Sequence, residues 1–272
     1  MTRTVFFISD GTGITAEALG RSLLSQFEMI AFDYVTIPYV NNRTKVKEAL
    51  ARIKQAYTKD GERPLIFTTL VDPKISDLLE NSSALIINFF QTFINPLENE
   101  LDRKSSHTVG RSHGVKNYTD YMQRINAVNY VLTYDDGVKA GDYEYADIIL
   151  LGVSRCGKTP TCLYLGLQFG IFAANYPLTP EDMLEPHLPK VLTKYRDKLF
   201  GLTIDPKRLQ KIRQERLPDK DYASQSRCVS EVKYAEALFK REKLPYLDST
   251  SRSIEELAAE IMTTANIKRR IY

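Results

Sequence analysis

Disulfides, membrane spans and a strong excess of either charge are all lacking in this 272-residue chain. Its three cysteines, Cys156, Cys162 and Cys228, are too few and too unevenly placed for a disulfide framework, which points to a reducing compartment. No apolar stretch is long enough to span a bilayer, so no membrane partner is expected. Met1 to Ile8 runs straight into a strand pattern and does not read as a secretory leader, so the expected location is cytoplasmic. The 37 basic and 34 acidic residues leave a net charge of +3 without a long basic run, and nothing there calls for a nucleic-acid partner. The sequence shows no repeat and no low-complexity segment. What is present, 43% hydrophobic and 26% charged residues, is ordinary globular composition with enough chain for a sizeable core.

The stretch that organises the rest is Asp147 to Thr159. Asp147-Ile148-Ile149-Leu150-Leu151 reads as a buried strand. Gly152-Val153-Ser154-Arg155-Cys156-Gly157-Lys158-Thr159 then matches the phosphate-binding loop G-x-x-x-x-G-K-[ST]. The glycines let backbone N–H groups wrap phosphate oxygens where side chains would collide. Lys158 is expected to reach the outer phosphates, and the Thr159 hydroxyl to hold Mg²⁺. Pro160 to Phe169 is helix-like, with Gly170 as its stop. The positive end of that helix adds to the anion site.

Upstream, strand and helix patterns alternate from Val5 to Leu101, which predicts a parallel α/β sheet. The first strand ends in Asp10-Gly11-Thr12-Gly13-Ile14-Thr15. That is either a second anion-binding turn or a tight strand-to-helix turn with Thr15 as the N-cap. Asp102 to Tyr121 is polar and reads as a connection; its Arg111 and His113 can either touch a phosphate or sit in a solvated loop. After the helical run Tyr121–Leu132, Asp135-Asp136-Gly137 offers paired carboxylates that suit Mg²⁺ or general-base work, and equally suit a turn. The expected domains are 1–101, an N-terminal parallel α/β domain; 102–145, a connecting loop and helix; and 146–272, a P-loop kinase-like α/β domain.

Within that last segment, Phe172 to Leu178 is a second strand leading to Thr179-Pro180-Glu181-Asp182. In small P-loop kinases a carboxylate here can take the proton of the acceptor hydroxyl. Asp182 is the candidate base and Glu181 the alternative; a capped helix start fits the same residues. Asp205 ends the strand Leu199–Asp205 as either a Walker-B-like acid or the cap of the helix that Pro206 opens. The helix carries Arg208, Lys211, Arg213 and Arg216, either a lid over phosphates or a solvated face. Tyr222 to Arg241 is a long helix with the core stripe Cys228, Val232, Ala235 and Phe239. A strand at Leu244–Asp248, then a loop and N-capped helix over Ser249 to Glu256 that continues to Met262, close the chain.

The motif Gly152 to Thr161, with Ala173-Ala174-Asn175-Tyr176-Pro177 downstream, resembles the bacterial regulatory proteins of pyruvate, phosphate dikinase and phosphoenolpyruvate synthase. So do Ile8 to Glu17, Asp135-Asp136-Gly137, Leu199 to Pro206 and Tyr222-Ala223-Ser224; the closing Arg269-Arg270-Ile271-Tyr272 is nearer the synthase branch. The resemblance covers essentially the whole chain. It implies a bifunctional serine/threonine protein kinase with phosphoenolpyruvate synthase as protein substrate. ADP would be the donor for an inactivating threonine phosphorylation. Inorganic phosphate would be the acceptor for its removal as pyrophosphate. For that second phosphate, Ser9 to Thr15 or the Arg111–His113 pair is the expected seat. A metabolite kinase, or the same regulatory chemistry on pyruvate, phosphate dikinase, is the rival reading, and a homodimer is left open.

Overall fold

The computed structural model describes residues 2–106, 108, 118–135, 142–216 and 221–271. Arg111 and His113, like Asp136 and Gly137, lie outside the described residues. The chain forms two compact units, 1–114 and 115–272.

The first unit alternates β1 (Thr2–Ile8), α1 (Ile14–Leu24), β2 (Ala31–Ile37), α2 (Arg43–Asp60), β3 (Leu65–Thr68), α3 (Pro73–Leu79), β4 (Leu85–Asn88) and α4 (Phe89–Leu101). Its sheet is parallel throughout, in the order β2-β1-β3-β4. Helices cover both faces, which explains why β1 reads as a continuous apolar run and not as an alternating one. Phe6 and Ile8 join Val46, Ile53 and Leu79 in one core. Val5 and Phe7 point the other way, onto Ala16, Leu24, Phe67 and Phe89. Local signals fix the helix ends. The Asn42 side chain accepts from Lys45 N–H, and Gly61 closes α2 at φ 68°. Asp72 caps α3 with Pro73 in its first turn, where proline costs no hydrogen bond.

The second unit contains α5 (Tyr118–Thr133), β5 (Ile148–Gly152), α6 (Lys158–Phe169), β6 (Ala173–Pro177), β7 (Leu199–Thr203), α7 (Pro206–Arg216), α8 (Gln225–Arg241), β8 (Tyr246–Asp248) and α9 (Ile254–Thr264). Its sheet is again parallel, in the order β6-β5-β7-β8. Each sheet therefore places its own strands in the sequence second, first, third, fourth, a likeness that no sequence repeat announces. The helix α5 is no mere connector. It packs on α6, where Gly166 lets Val131 and Ala127 approach closely, and Val131 belongs to the second unit's core. The expected stripe on α8 is buried at Cys228, Val232, Ala235 and Phe239, and Ser253 and Glu256 form the reciprocal capping box that opens α9. Among the described residues no helix is long and apolar enough to cross a membrane.

Candidate nucleotide site

The strand β5 is buried along its whole length and delivers Gly152 to the carboxyl edge of the sheet, beside β6 and β7. The chain then turns through Val153–Gly157 into α6. Gly157 stands at φ 94° and Arg155 at φ 76°, left-handed conformations that favour glycine and cost a residue with a Cβ. Gly152 is required for a different reason. A Cβ there would lie 2.3 Å from the Leu202 carbonyl oxygen, so no side chain fits between β5 and β7. Gly152→Ala is therefore expected to destabilise the protein by about 3 kcal/mol, read as a lowered midpoint in thermal or urea unfolding; an unchanged midpoint would contradict this packing.

Lys158 is 4% exposed. Its Nζ donates to the Val153 carbonyl at 2.8 Å and lies 3.9 Å from the Cys156 sulfur. Burial pushes the Cys156 thiol up, against the lowering effect of Lys158. The thiol is thus a weak donor, directed at the Leu202 carbonyl, and not a thiolate nucleophile. Among the described residues Lys158 has no carboxylate partner. An ammonium held out of water is stable only where an opposite charge or several acceptors meet it, so the chemistry of the loop suits an anion.

Three side chains from separate segments converge next to Lys158. Thr159 Oγ1 donates to Asp135 Oδ1 at 2.9 Å. Asn175 Nδ2, on β6, donates to the same oxygen at 2.6 Å and to Thr159 Oγ1 at 2.9 Å. They line a cavity of about 580 Å³, whose wall also includes Arg155 and, from α7, Ile212 and Arg216. Arg155, Lys158 and Arg216 face it, with Asp135 as the one carboxylate among the described residues that line it. The hydroxyl of Thr159 and the carboxylate of Asp135 are hard oxygen donors suited to Mg²⁺, an ion that takes one or two protein oxygens and completes its shell with substrate phosphates and water. The described residues hold no cluster of three or more His, Cys, Asp or Glu side chains able to cage a metal.

Asp182 and Glu181 are not among the residues lining this cavity. The Asp182 carboxylate accepts from Thr179 N–H at 2.9 Å and from the Tyr176 hydroxyl at 3.2 Å, and Thr179 Oγ1 accepts from Asp182 N–H at 3.3 Å. The capping signal in the sequence is therefore real. It opens only the short 3-10 turn Asp182–Leu184, because Pro186 and Pro189 follow at once and remove the donors that a longer helix needs. Asp205 is a cap too, accepting from Lys207 and Arg208 N–H. The basic face of α7 divides: Arg216 lines the cavity, Arg208 and Lys211 are exposed, and Arg213 is wholly buried.

The first unit's turn has different chemistry. Gly13 at φ 85°, not Thr15, is the N-cap of α1. Ser9 Oγ accepts from Gly11 N–H, and Asp10 Oδ2 from Val71 N–H. Burial raises the Asp10 carboxyl, and the charge of Asp72 adds to that rise. Glu17 in the first turn of α1 is held ionised by Thr36 and Arg21. The carboxylates close by work against an anion there.

Residues 5–262 match the kinase/pyrophosphorylase family. The chain is 52% identical over 271 residues to a protein of Legionella pneumophila (strain Corby), and 52% identical over 271 residues to one of Stutzerimonas stutzeri (strain A1501), with 100% of each chain covered. A protein of Marinobacter nauticus is 50% identical over 269 residues, 99% of each chain. The chain belongs to the kinase/pyrophosphorylase family. The three relatives are named as inferred phosphoenolpyruvate synthase regulatory proteins.

Membership in the kinase/pyrophosphorylase family makes this a transferase-type enzyme. The resemblance seen in the sequence thus holds over nearly the whole chain, and the two parallel α/β units agree with the expected fold. Two contributors to the family member's cavity were only half legible in the sequence. Asp135 stands 24 residues from Thr159, and Asn175 stands 16 residues beyond it; no local spacing links them, though both fall inside stretches that carry the resemblance.

Proposed function

We propose that this protein phosphorylates a threonine of phosphoenolpyruvate synthase with ADP as donor, inactivating it, and removes that phosphate with inorganic phosphate as acceptor. The observation that carries this reading is the buried Lys158, without a carboxylate partner among the described residues, set beside the Asp135–Thr159–Asn175 cluster. It supplies a place for a diphosphate tail and, within the same cavity, a carboxylate for the acceptor hydroxyl. The names of the relatives favour the synthase over the dikinase as target.

In the forward direction the threonine oxygen attacks the terminal phosphorus of ADP, the bridging P–O bond breaks, and AMP leaves. Transfer of this kind rests on positioning and charge neutralisation. Lys158 and the N–H groups of Gly152–Thr159 hold the donor phosphates. Arg155 and Arg216 face the same anion. Asp135 takes the threonine proton, a role for which the sequence offered the Asp135-Asp136 pair as well as Asp182; two hydrogen bonds at Oδ1 orient its carboxylate. Bound Mg²⁺, held by Thr159 with the donor phosphates, would neutralise developing charge. In reverse, a phosphate oxygen attacks the phosphothreonine phosphorus, the P–Oγ bond breaks, the threonine oxygen regains a proton, and pyrophosphate leaves. The seat of that incoming phosphate on this reading is the same cavity, beside Arg155, Lys158 and Arg216, rather than Ser9 to Thr15.

The test is transfer itself. Purified synthase is incubated with the protein and ADP labelled in its terminal phosphate. The expected product is acid-stable phosphothreonine on the synthase, lost again on adding inorganic phosphate with release of labelled pyrophosphate. Label staying in the nucleotide, or moving to a metabolite instead, would overturn the proposal.

A further inference from the structure

We propose that Arg213 and Ser249, both outside the Gly152–Thr159 motif, are positioning residues that hold the phosphate loop in its donor-facing conformation from the outside. This rests on the reading that the loop binds nucleotide phosphates.

In a planar trans peptide the carbonyl of one residue and the N–H of the next point in opposite directions. A loop can present its N–H groups to a ligand only if its carbonyls are turned away and satisfied elsewhere. The carbonyl of Gly152 accepts from Leu178 N–H at 3.0 Å, and that of Gly157 from Thr161 N–H at 3.2 Å; sheet edge and helix supply these two. Of the carbonyls between them, that of Val153 accepts from Lys158 Nζ at 2.8 Å and from Cys156 N–H at 3.4 Å, and those of Ser154 and Cys156 depend on distant side chains. The Ser154 carbonyl accepts from Arg213 Nη2 at 3.2 Å, across 59 residues of sequence. The Cys156 carbonyl accepts from Ser249 Oγ at 2.8 Å, across 93. These two bonds set the direction of the Arg155 and Gly157 N–H groups. Arg155 and Gly157 are also the loop's two left-handed residues, and a non-glycine residue stays in that region only where its surroundings hold it.

Arg213 is itself over-determined. It is 0% exposed. Nη2 also reaches Glu231 Oε2 at 2.5 Å, Nη1 donates to the Tyr222 carbonyl at 3.2 Å, and the guanidinium lies 4.3 Å from the centre of the Tyr222 ring. Arg227 Nε holds the other Glu231 oxygen at 2.8 Å, and the Tyr222 hydroxyl donates to Ser154 Oγ at 3.1 Å. A buried ion pair is a poor source of stability compared with well-packed apolar residues. What this one supplies is a directed donor at the Ser154 carbonyl. It also fixes the rotation of α7, whose neighbouring residues Ile212 and Arg216 line the cavity. Ser249 has a single hydroxyl proton and two carbonyls within reach, Cys156 at 2.8 Å and Thr203 at 3.0 Å, so it ties the loop to the end of β7.

The experiment is calorimetric titration of ADP into the full-length protein and its Ser249→Ala, Ser249→Thr and Arg213→Lys variants, with the KM for ADP and kcat measured alongside. Lysine keeps the charge beside Glu231 but cannot serve Ser154 and Tyr222 together. Ser249→Ala and Arg213→Lys are each expected to raise the dissociation constant about fivefold, the scale of one hydrogen bond, with KM rising more than kcat falls. Ser249→Thr, which keeps the hydroxyl, returns binding to near the wild-type value. If Arg213→Lys does not fold, the two Ser249 variants decide alone. Wild-type affinity in Ser249→Ala, or the same loss in Ser249→Thr as in Ser249→Ala, overturns this proposal while leaving the nucleotide reading intact. No ADP binding by the wild-type protein overturns both.

Discussion

Lys158→Ala is expected to lower ADP-dependent phosphorylation of the synthase about 10³-fold, the scale seen when one preorganised electrostatic contact to a transition state is removed. The unfolding transition should stay close to that of the wild type. The reason lies in the resting geometry. The ammonium is 4% exposed and meets the Val153 carbonyl without a carboxylate partner among the described residues. Substitution by alanine removes a buried charge along with the side chain's packing, and the two effects oppose each other in stability. They do not oppose each other in transfer, where the charge would face the phosphates of the donor. Phosphorylation near the wild-type rate, measured with labelled ADP, would remove Lys158 from the mechanism. A collapsed unfolding transition would instead make it a structural residue.

The second large effect separates two carboxylates. Asp135→Asn is nearly isosteric and can still accept from Thr159, yet it has no negative charge to take a proton. The kcat for transfer is expected to fall about 10²-fold or more, in the range of a lost general base, while the KM for ADP moves far less. Asp182→Asn should leave kcat within about threefold and lower stability by about 1 kcal/mol, the size of a weakened cap. Its carboxylate is engaged by Thr179 and Tyr176 and does not line the cavity. The opposite outcome, transfer lost in Asp182→Asn and kept in Asp135→Asn, would return the base to the place first suggested by the strand that precedes it.

How much of the chain is legible in its sequence depends on how local each signal is. Parallel strands buried on both faces leave continuous apolar runs, so β1 and β5 stand out without any structure. Asp72-Pro73 and the Ser/Thr run before Ile254 mark helix starts because a cap acts within three residues; the cap at Asn42 lies before the run Lys45 to Tyr57 that periodicity marks. The loop Gly152–Thr159 is legible for the same reason, since its chemistry is contiguous. Asp135 was visible as an acid before a glycine, but no periodicity joins it to Thr159. Arg213 sat among basic residues that suggested a lid or a solvated face. Its burial is decided by Glu231, 18 residues further on and one helix away. Thr179 and Asp182 do pair as the cap signal says, yet prolines a few residues later stop the helix that such a cap usually opens. Order within each sheet, second strand beside first and third beside first, was beyond local pattern altogether.

The account stands on ADP phosphates being held by the backbone of the turn between β5 and α6. Hydrogen exchange of the full-length protein with and without ADP tests this most directly. Slowed exchange concentrated in Gly152–Thr159, reduced or absent in Lys158→Ala, is the expected result. Exchange in that stretch unchanged by saturating ADP, or protection appearing at Ser9–Gly13 instead, would contradict it.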